Sequence, residues 1–260
     1  MYIDHPKAVL PNDGEALWRY VDFAKFAWML EQKALFFPRV STFEDKYEGA
    51  FPDAQLPYKR TFGPLLGTPE GMPGEAEARH DKQMRDKAKM FRDRTFVSCW
   101  HLNEGESAAM WKIYSQHKEG IAIRTTFGDL KRCFTKNGPP VRAGKIRYLD
   151  HPKDISPTDD PLDTVLWKRR SFEHENELRV IYWDDYFSSA EWDSEKGQWK
   201  DGVTLKAGHR IEVDLDILIR RVHVAPTLPQ WLRDLVKNLL TRYGLDKEVR
   251  RSELDKDPVF

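Results

Sequence analysis

Apolar positions along the chain fall into short runs and into longer stretches with helical spacing. Runs typical of strands lie at residues 35–38, 95–100, 121–127, 144–149, 173–183, 211–215, 219–225 and 247–251. Spacing near the helical repeat predicts helices over residues 15–35, 75–94, 108–117 and 228–243. Many short strands with few helices and no regular strand–helix–strand repeat predict an α+β fold with mixed, mostly antiparallel sheets and flanking helices.

This pattern predicts a single domain over residues 1–260, with two segments that differ from the rest. The helix over 75–94 is highly charged and poor in apolar residues, which is typical of a solvated insertion or a lid. Residues 184–208 carry Gly197, Gly202 and Gly208 between two predicted strands, so we expect a mobile insertion there.

The composition limits the class of protein. A hydrophobic fraction of 40% supports a packed core and argues against global disorder. The 42 basic and 42 acidic residues cancel, so a nucleic acid would have to be met by a local patch. Cys99 and Cys133 are too few for a disulfide framework or a zinc site. With no membrane-length apolar run and no signal-peptide pattern, we expect a cytoplasmic protein without membrane contact.

The candidate chemistry centres on the acidic stretch from Glu173 to Glu177. If this stretch is a strand, Glu173, Glu175 and Glu177 line one face and repel each other unless a cation or a substrate answers them. One interpretation is a surface strand whose carboxylates pair with neighbouring arginines. The other is a carboxylate beside a sugar, where it stabilises the oxocarbenium-like transition state of glycosidic bond cleavage.

Familiar catalytic motifs are absent from the sequence. It has no glycine-rich dinucleotide or P-loop motif, no GxSxG elbow and no HExxH pair. Histidines are scattered singly, and a lone histidine is more often structural than catalytic. These single histidines include His101, His117, His174, His209 and His223. We therefore expect no metal site.

Several segments together resemble the bacterial family known as domain of unknown function 2971. They occur in the family's order through nearly the whole chain, at residues 17–20, 43–48, 96–100, 110–114, 120–123, 172–179 and 252–254. That family is found in bacterial phage-defence settings, and its pattern is similar to the ADP-ribosyltransferase-like fold. The resemblance implies that fold for this chain.

The resemblance also implies site residues. In that fold a basic residue on the first strand, a serine on a middle strand and a later glutamate converge on a nicotinamide nucleotide, which gives Arg19, Ser98 and either Glu175 or Glu177 as catalytic residues. Substrate-binding roles fall to Tyr20, Trp100, Trp111, Tyr114 and Arg179. Two departures bear on NAD binding more than on glycosidic chemistry. Ser98 lacks hydroxyl neighbours, and Arg19 lies in a predicted helix.

Together with the acidic stretch, the resemblance implies an antiphage defence enzyme that cleaves N-glycosidic bonds in DNA without a cofactor. Such a DNA glycosylase would flip out a base, for example a modified phage base, and leave an abasic site. Phage DNA is the expected partner, contacted by Lys168, Arg169 and Arg170. One alternative is an ADP-ribosyltransferase that uses NAD as its substrate and acts on nucleic acid or protein. The other is a non-enzymatic defence sensor or binding module.

Overall fold

The computed structural model describes residues 1–50, 74–114, 119–150, 161–185 and 191–255. Its strands are β1 (Ala16–Asp22), β2 (Ala34–Pro38), β3 (Thr95–Leu102), β4 (Gly120–Thr126), β5 (Val141–Lys145), β6 (Arg147–Leu149), β7 (Trp167–Arg169), β8 (Glu177–Trp183), β9 (Trp192–Asp193), β10 (Gln198–Trp199), β11 (Gly208–Glu212), β12 (Arg221–Val224) and β13 (Val249–Arg251).

The α-helices are α1 (Phe23–Gln32), α2 (Gly74–Arg94), α3 (Ala108–Tyr114), α4 (Phe127–Arg132), α5 (Leu215–Leu218) and α6 (Gln230–Arg242). Short 3₁₀ helices cover Val40–Thr42, Pro161–Leu166, Arg170–Glu175 and Glu253–Asp255. Among the described residues, no helix combines the length and the apolar character that crossing a bilayer requires.

A seven-stranded sheet with the order β13-β12-β4-β1-β3-β8-β5 forms the centre of the fold. Its neighbouring strands are antiparallel, except for the parallel pair of β12 and β13. Three two-stranded sheets flank it: β2 with β11, β6 with β7, and β9 with β10. The prediction of an α+β fold with mostly antiparallel sheets is confirmed.

Both faces of the central sheet are buried. One hydrophobic cluster joins Leu17, Ile123 and Val222 of the sheet to Phe26 of α1 and Val236 of α6. A second cluster joins strands β3 and β8 to the segment around β7 and contains Val97, Ile181, Val165 and Trp167. Burial on both faces explains why these strands read as nearly continuous apolar runs.

The predicted helix over 15–35 is wrong in its first half, because residues 16–22 form β1. In this strand Leu17, Trp18 and Tyr20 are all buried, so the sequence lacks the alternation that marks a half-exposed strand. The helix begins only at Phe23, and Asp22 caps it by accepting a hydrogen bond from the Lys25 backbone N–H at 2.7 Å.

Other element predictions are confirmed with shifted boundaries. The helices at 75–94, 108–117 and 228–243 correspond to α2, α3 and α6, although residues 115–118 lie outside the described part. The run at 144–149 is split between β5 and β6, and α5 was not predicted. Within 184–208 the structure contains β9 and β10. Trp199 of β10 donates to the Asp93 carboxylate of α2 at 2.8 Å.

The acidic stretch before β8 is not a strand, which corrects the predicted face of three carboxylates. Arg170–Glu175 is a 3₁₀ helix, Asn176 adopts a left-handed conformation with φ of 36°, and β8 begins at Glu177. The Asn176 side chain donates to the Leu102 carbonyl, which fixes this turn against the end of β3. Glu175 and Glu177 are therefore separated by a sharp turn and have different surroundings.

Asn176→Ala is expected to lower the free energy of unfolding by about 1–2 kcal/mol more than Asn176→Gly. Alanine is disfavoured in the left-handed region, whereas glycine adopts it readily. Both variants lose the bond to Leu102, so their difference isolates the backbone effect. Urea denaturation measures it, and equal stability of the two variants would contradict the assigned role of this turn.

Candidate functional site

A cleft opens where the central sheet splits between β1 and β3. These strands pair at only two positions, Leu17 with Leu102 and Trp18 with His101, and they separate beyond them. The resulting cleft is narrow, with a volume of about 30 Å³, and it is partly open to solvent. Its lining includes Trp18, Tyr20, Trp100, His101, Tyr114 and Glu175.

Aromatic side chains form most of the cleft wall, with Tyr20 at the centre. The Tyr20 ring stacks with the half-exposed Tyr114 at 6.4 Å between centroids and meets Trp111 edge-on at 5.0 Å. Its hydroxyl accepts a hydrogen bond from the Ser107 backbone N–H at 2.9 Å, which ties the start of α3 to β1. Trp111 is buried behind Tyr20 and donates to Glu106 at 2.9 Å, so it supports the wall.

Arg19 and Ser98 are in contact, as the resemblance implied. The Arg19 guanidinium donates to the Ser98 hydroxyl, to the Cys99 carbonyl at 3.3 Å and to the Phe36 carbonyl at 3.3 Å. Trp100 connects this pair to the cleft, because it lines the cleft, lies 5.6 Å from the guanidinium and donates to Ser98 at 3.1 Å.

The acceptors around Arg19 are all neutral. Within the described residues, no carboxylate lies at ion-pair distance from its guanidinium, and burial lowers the pKa of this group. The described part of the chain uses three of the five guanidinium N–H groups, and two are left for a ligand. A half-buried cation without a counter-ion is a suitable receptor for an anion.

Glu177 belongs to a buried network of alternating charges. Arg179 pairs with Glu177 at 2.7 Å and with Glu48 at 2.6 Å, and Lys168 lies 3.2 Å from Glu48 and 3.3 Å from Glu177. Burial by itself would raise the pKa of Glu177, but Arg179 and Lys168 outweigh it and hold this pKa at about 2. Glu177 is therefore a permanently ionised structural partner of two cations.

Glu175 lies at the edge of this network and at the rim of the cleft. Its carboxylate contacts Lys168 at 2.7 Å, and its side chain retains 21% of its exposure. Among the described residues, Lys168 is the cation that pairs with the Glu175 carboxylate. Of the two candidate glutamates, Glu175 is thus the one with a carboxylate edge available to a ligand.

Two predicted ligand contacts are corrected by their burial. Arg179 has no exposed surface, donates to the Val165 carbonyl at 2.8 Å and serves the charge network, so it does not line the cleft. Lys168 is 7% exposed and its ammonium is occupied by carboxylates, so it is not a phosphate contact. Arg169 pairs with Asp45 at 3.1 Å, while Arg170 is exposed.

Sequence reasoning did not single out His101, which also lines the cleft. Strand register places it directly opposite Trp18 on β1 and Glu177 on β8, so the three share one face of the sheet. Ser98 lies on the opposite face of β3, because strand positions of opposite parity face opposite ways. A lone histidine in a strand carries no sequence signal that separates this position from a structural one.

Comparisons with known proteins identify distant structural neighbours only. No family model matches the chain, and no curated protein matches it. Solved structures of Thermus sp. 2.9 DarT are similar in fold. The complex with carba-NAD⁺ has a TM-score of 0.40 at 9% identity, with 95% of this chain and 98% of that chain covered. The complex with NAD⁺ has a TM-score of 0.41 at 10% identity, with 96% and 100% covered.

A third similar structure is the same protein in complex with ADP-ribosylated ssDNA, with a TM-score of 0.41 at 9% identity and coverage of 95% and 98%. At this distance the likeness provides no residue-by-residue correspondence. The resemblance to the family of unknown function stays a prediction. No cluster of three or more His, Cys, Asp or Glu side chains suited to a metal ion occurs in the described part of the chain.

Glu177→Gln is expected to lower the free energy of unfolding by about 3–5 kcal/mol, because it removes one of the two carboxylates that neutralise the buried Arg179 and also a partner of Lys168. Glu175→Gln is the same chemical change at the half-exposed carboxylate and should cost under about 1 kcal/mol. Denaturant titrations compare the two variants. If Glu175→Gln destabilises the fold as much as Glu177→Gln, the division between the two glutamates is wrong.

The free energy of unfolding should decrease as the pH falls from about 5 to about 2. An unfolded glutamate has a pKa of about 4.3, whereas the folded pKa is about 2 for Glu177 and also for Glu106, where His223 and Ser252 outweigh burial. A carboxylate with a lowered pKa contributes stability above its unfolded pKa and loses it as the pH falls through the folded value. The free energy of unfolding is measured by denaturant titration at several pH values. Its slope against pH near pH 3 should correspond to the uptake of about two protons on unfolding. A flat profile between about pH 5 and 3 would contradict this expectation.

Proposed function

We propose that the chain is an NAD-dependent ADP-ribosyltransferase that acts on DNA. The observation that carries the proposal is the cleft itself. Glu175, a carboxylate with an available edge, lines a cleft walled by aromatic rings, and Arg19, a guanidinium without a counter-ion among the described residues, contacts Trp100 of that wall. NAD⁺ carries the matching parts: a diphosphate, a ribose and a flat aromatic leaving group.

Each part of the site has a role in this reaction. The two remaining N–H groups of Arg19 bind a phosphate oxygen, which supplies the charge that the neutral surroundings of the guanidinium lack. Tyr20 and Tyr114 offer ring surfaces to nicotinamide. Glu175 stabilises the positive charge that develops on the ribose as the bond to nicotinamide breaks.

The transferase is favoured over the glycosylase because of where the basic residues lie. The sequence argued against NAD by placing Arg19 in a helix, but the structure has it on β1 beside Ser98. Of the three predicted phosphate contacts, Lys168 is buried and Arg169 is paired, so in either reaction other cations would have to meet the DNA backbone. A purely structural role accounts less well for Glu175, because this carboxylate lies at the edge of the buried network and stays partly exposed.

The test measures release of nicotinamide from labelled NAD⁺, with and without single-stranded DNA, and detects ADP-ribosylated DNA by mass spectrometry. Glu175→Gln should lower both signals about 100- to 1,000-fold, because it removes the charge that faces the developing cation. Glu173→Gln is the matched control, since it neutralises an exposed carboxylate of the same 3₁₀ helix. It should keep wild-type activity.

Three outcomes separate the alternatives. Equal loss in the two variants would remove the special role of Glu175. Alkali-labile sites formed in DNA without NAD⁺ would establish the glycosylase instead. If neither reaction occurs with phage or host DNA and the Glu175→Gln variant still protects against phage, the non-enzymatic sensor is the remaining alternative.

A further inference from the structure

His101 combines burial, a fixed orientation and an unused nitrogen at the wall of the cleft. Its side chain is only 5% exposed, and its ring lies 6.2 Å from the Tyr20 ring. Nδ1 is 2.6 Å from the backbone carbonyl of Glu175. Nε2 is buried and has no hydrogen-bond partner in the described part of the chain.

The contact with Glu175 determines which nitrogen carries the proton. A carbonyl oxygen can only accept, so Nδ1 must donate to it. In the neutral ring Nε2 then holds a lone pair. Leaving such a buried acceptor without a partner costs free energy, and an unpartnered buried polar atom at a cleft is typical of a functional site.

We propose that His101 is a catalytic residue whose Nε2 accepts the proton of the attacking group during transfer. The inference rests on the proposed function. It goes further because it names the base that the reaction requires. The backbone turn that presents the Glu175 carboxylate also holds the ring of His101. The distance between the carboxylate and the ring is therefore fixed by this turn.

The step balances in atoms and charge. An O–H or N–H group of the acceptor forms a bond to the anomeric carbon of the ribose, while the bond from that carbon to nicotinamide breaks. The electron pair of the broken bond leaves with nicotinamide, whose ring becomes neutral. The proton of the acceptor moves to Nε2, and the resulting imidazolium returns it to water.

Other titratable groups that line the cleft are unsuited to this task. Glu177 is held ionised by Arg179 and Lys168, so it is a weak base. Burial raises the pKa of Tyr20 to about 12, and burial with the nearby Glu177 raises the pKa of the Cys99 thiol. Both therefore stay protonated at neutral pH. Glu175 is paired with Lys168 and faces the ribose in the proposed reaction.

The surroundings of His101 also keep the ring neutral. Burial lowers its pKa, the carbonyl and carboxylate of Glu175 oppose this effect, and His174 adds to it. Across the register Glu177 faces the ring from β8, and from β1 it is faced by the uncharged Trp18. A base works only when unprotonated, so transfer should fall as the pH drops through this lowered pKa.

The test uses the full chain with NAD⁺ and single-stranded DNA. His101→Gln should lower the transfer rate about 100-fold and remove the acidic limb of its pH profile, while binding of NAD⁺ changes little. Imidazole added to His101→Ala should restore part of the rate. The control is His223→Gln, because His223 is equally buried, lies 4.8 Å from Trp18 and is not part of the cleft lining. The His223→Gln variant should keep the wild-type transfer rate and the acidic limb of the pH profile.

An acidic limb that persists in His101→Gln would overturn the proposal, as would loss of NAD⁺ binding in parallel with the rate. If the wild-type chain releases no nicotinamide, the proposed function fails first. The proposal about His101 would then be contradicted on its own by nitrogen NMR that shows the proton on Nε2 instead of Nδ1.

Discussion

Arg179 is the charge on which the architecture of the site depends. Its side chain has no contact with solvent, and an unpaired buried guanidinium would be strongly destabilising. Glu177 and Glu48 answer it, and Lys168 completes the alternation. The network joins β7, β8 and the segment that follows the first 3₁₀ helix, which are far apart in sequence. It also fixes the ammonium against which Glu175 rests, so a structural interaction positions the exposed carboxylate.

Two glutamates separated by one residue thus have different chemistry. The left-handed conformation of Asn176 ends the 3₁₀ helix and starts β8, which turns Glu177 inward and leaves Glu175 at the rim. The backbone of this turn also serves the cleft, since the Glu175 carbonyl accepts from His101. The segment from Glu175 to Glu177 therefore determines the position of the exposed carboxylate, the start of β8 and the tautomer of His101.

Sequence patterns identified the elements whose periodicity is unambiguous, such as α6 and β3. They failed at β1, because burial on both faces removes the alternation that separates a strand from a helix. The contact of Arg19 with Ser98 followed from the resemblance alone. The buried state of Lys168 could not be predicted, since its partner Glu48 is distant in sequence and charged residues are mostly exposed. His101 had no local signal, because its role depends on an unpaired nitrogen that only the folded arrangement reveals.

The two-residue pairing of β1 with β3 has a mechanical consequence. It divides the central sheet into one half with β13, β12, β4 and β1 and another with β3, β8 and β5. Arg19 spans this seam, since it stands on one half and donates to the Cys99 carbonyl of the other. A molecule bound in the cleft touches both halves and adds contacts where the backbone ladder is sparse. A bound ligand would therefore stabilise the folded chain at the place where the central sheet has its fewest backbone hydrogen bonds.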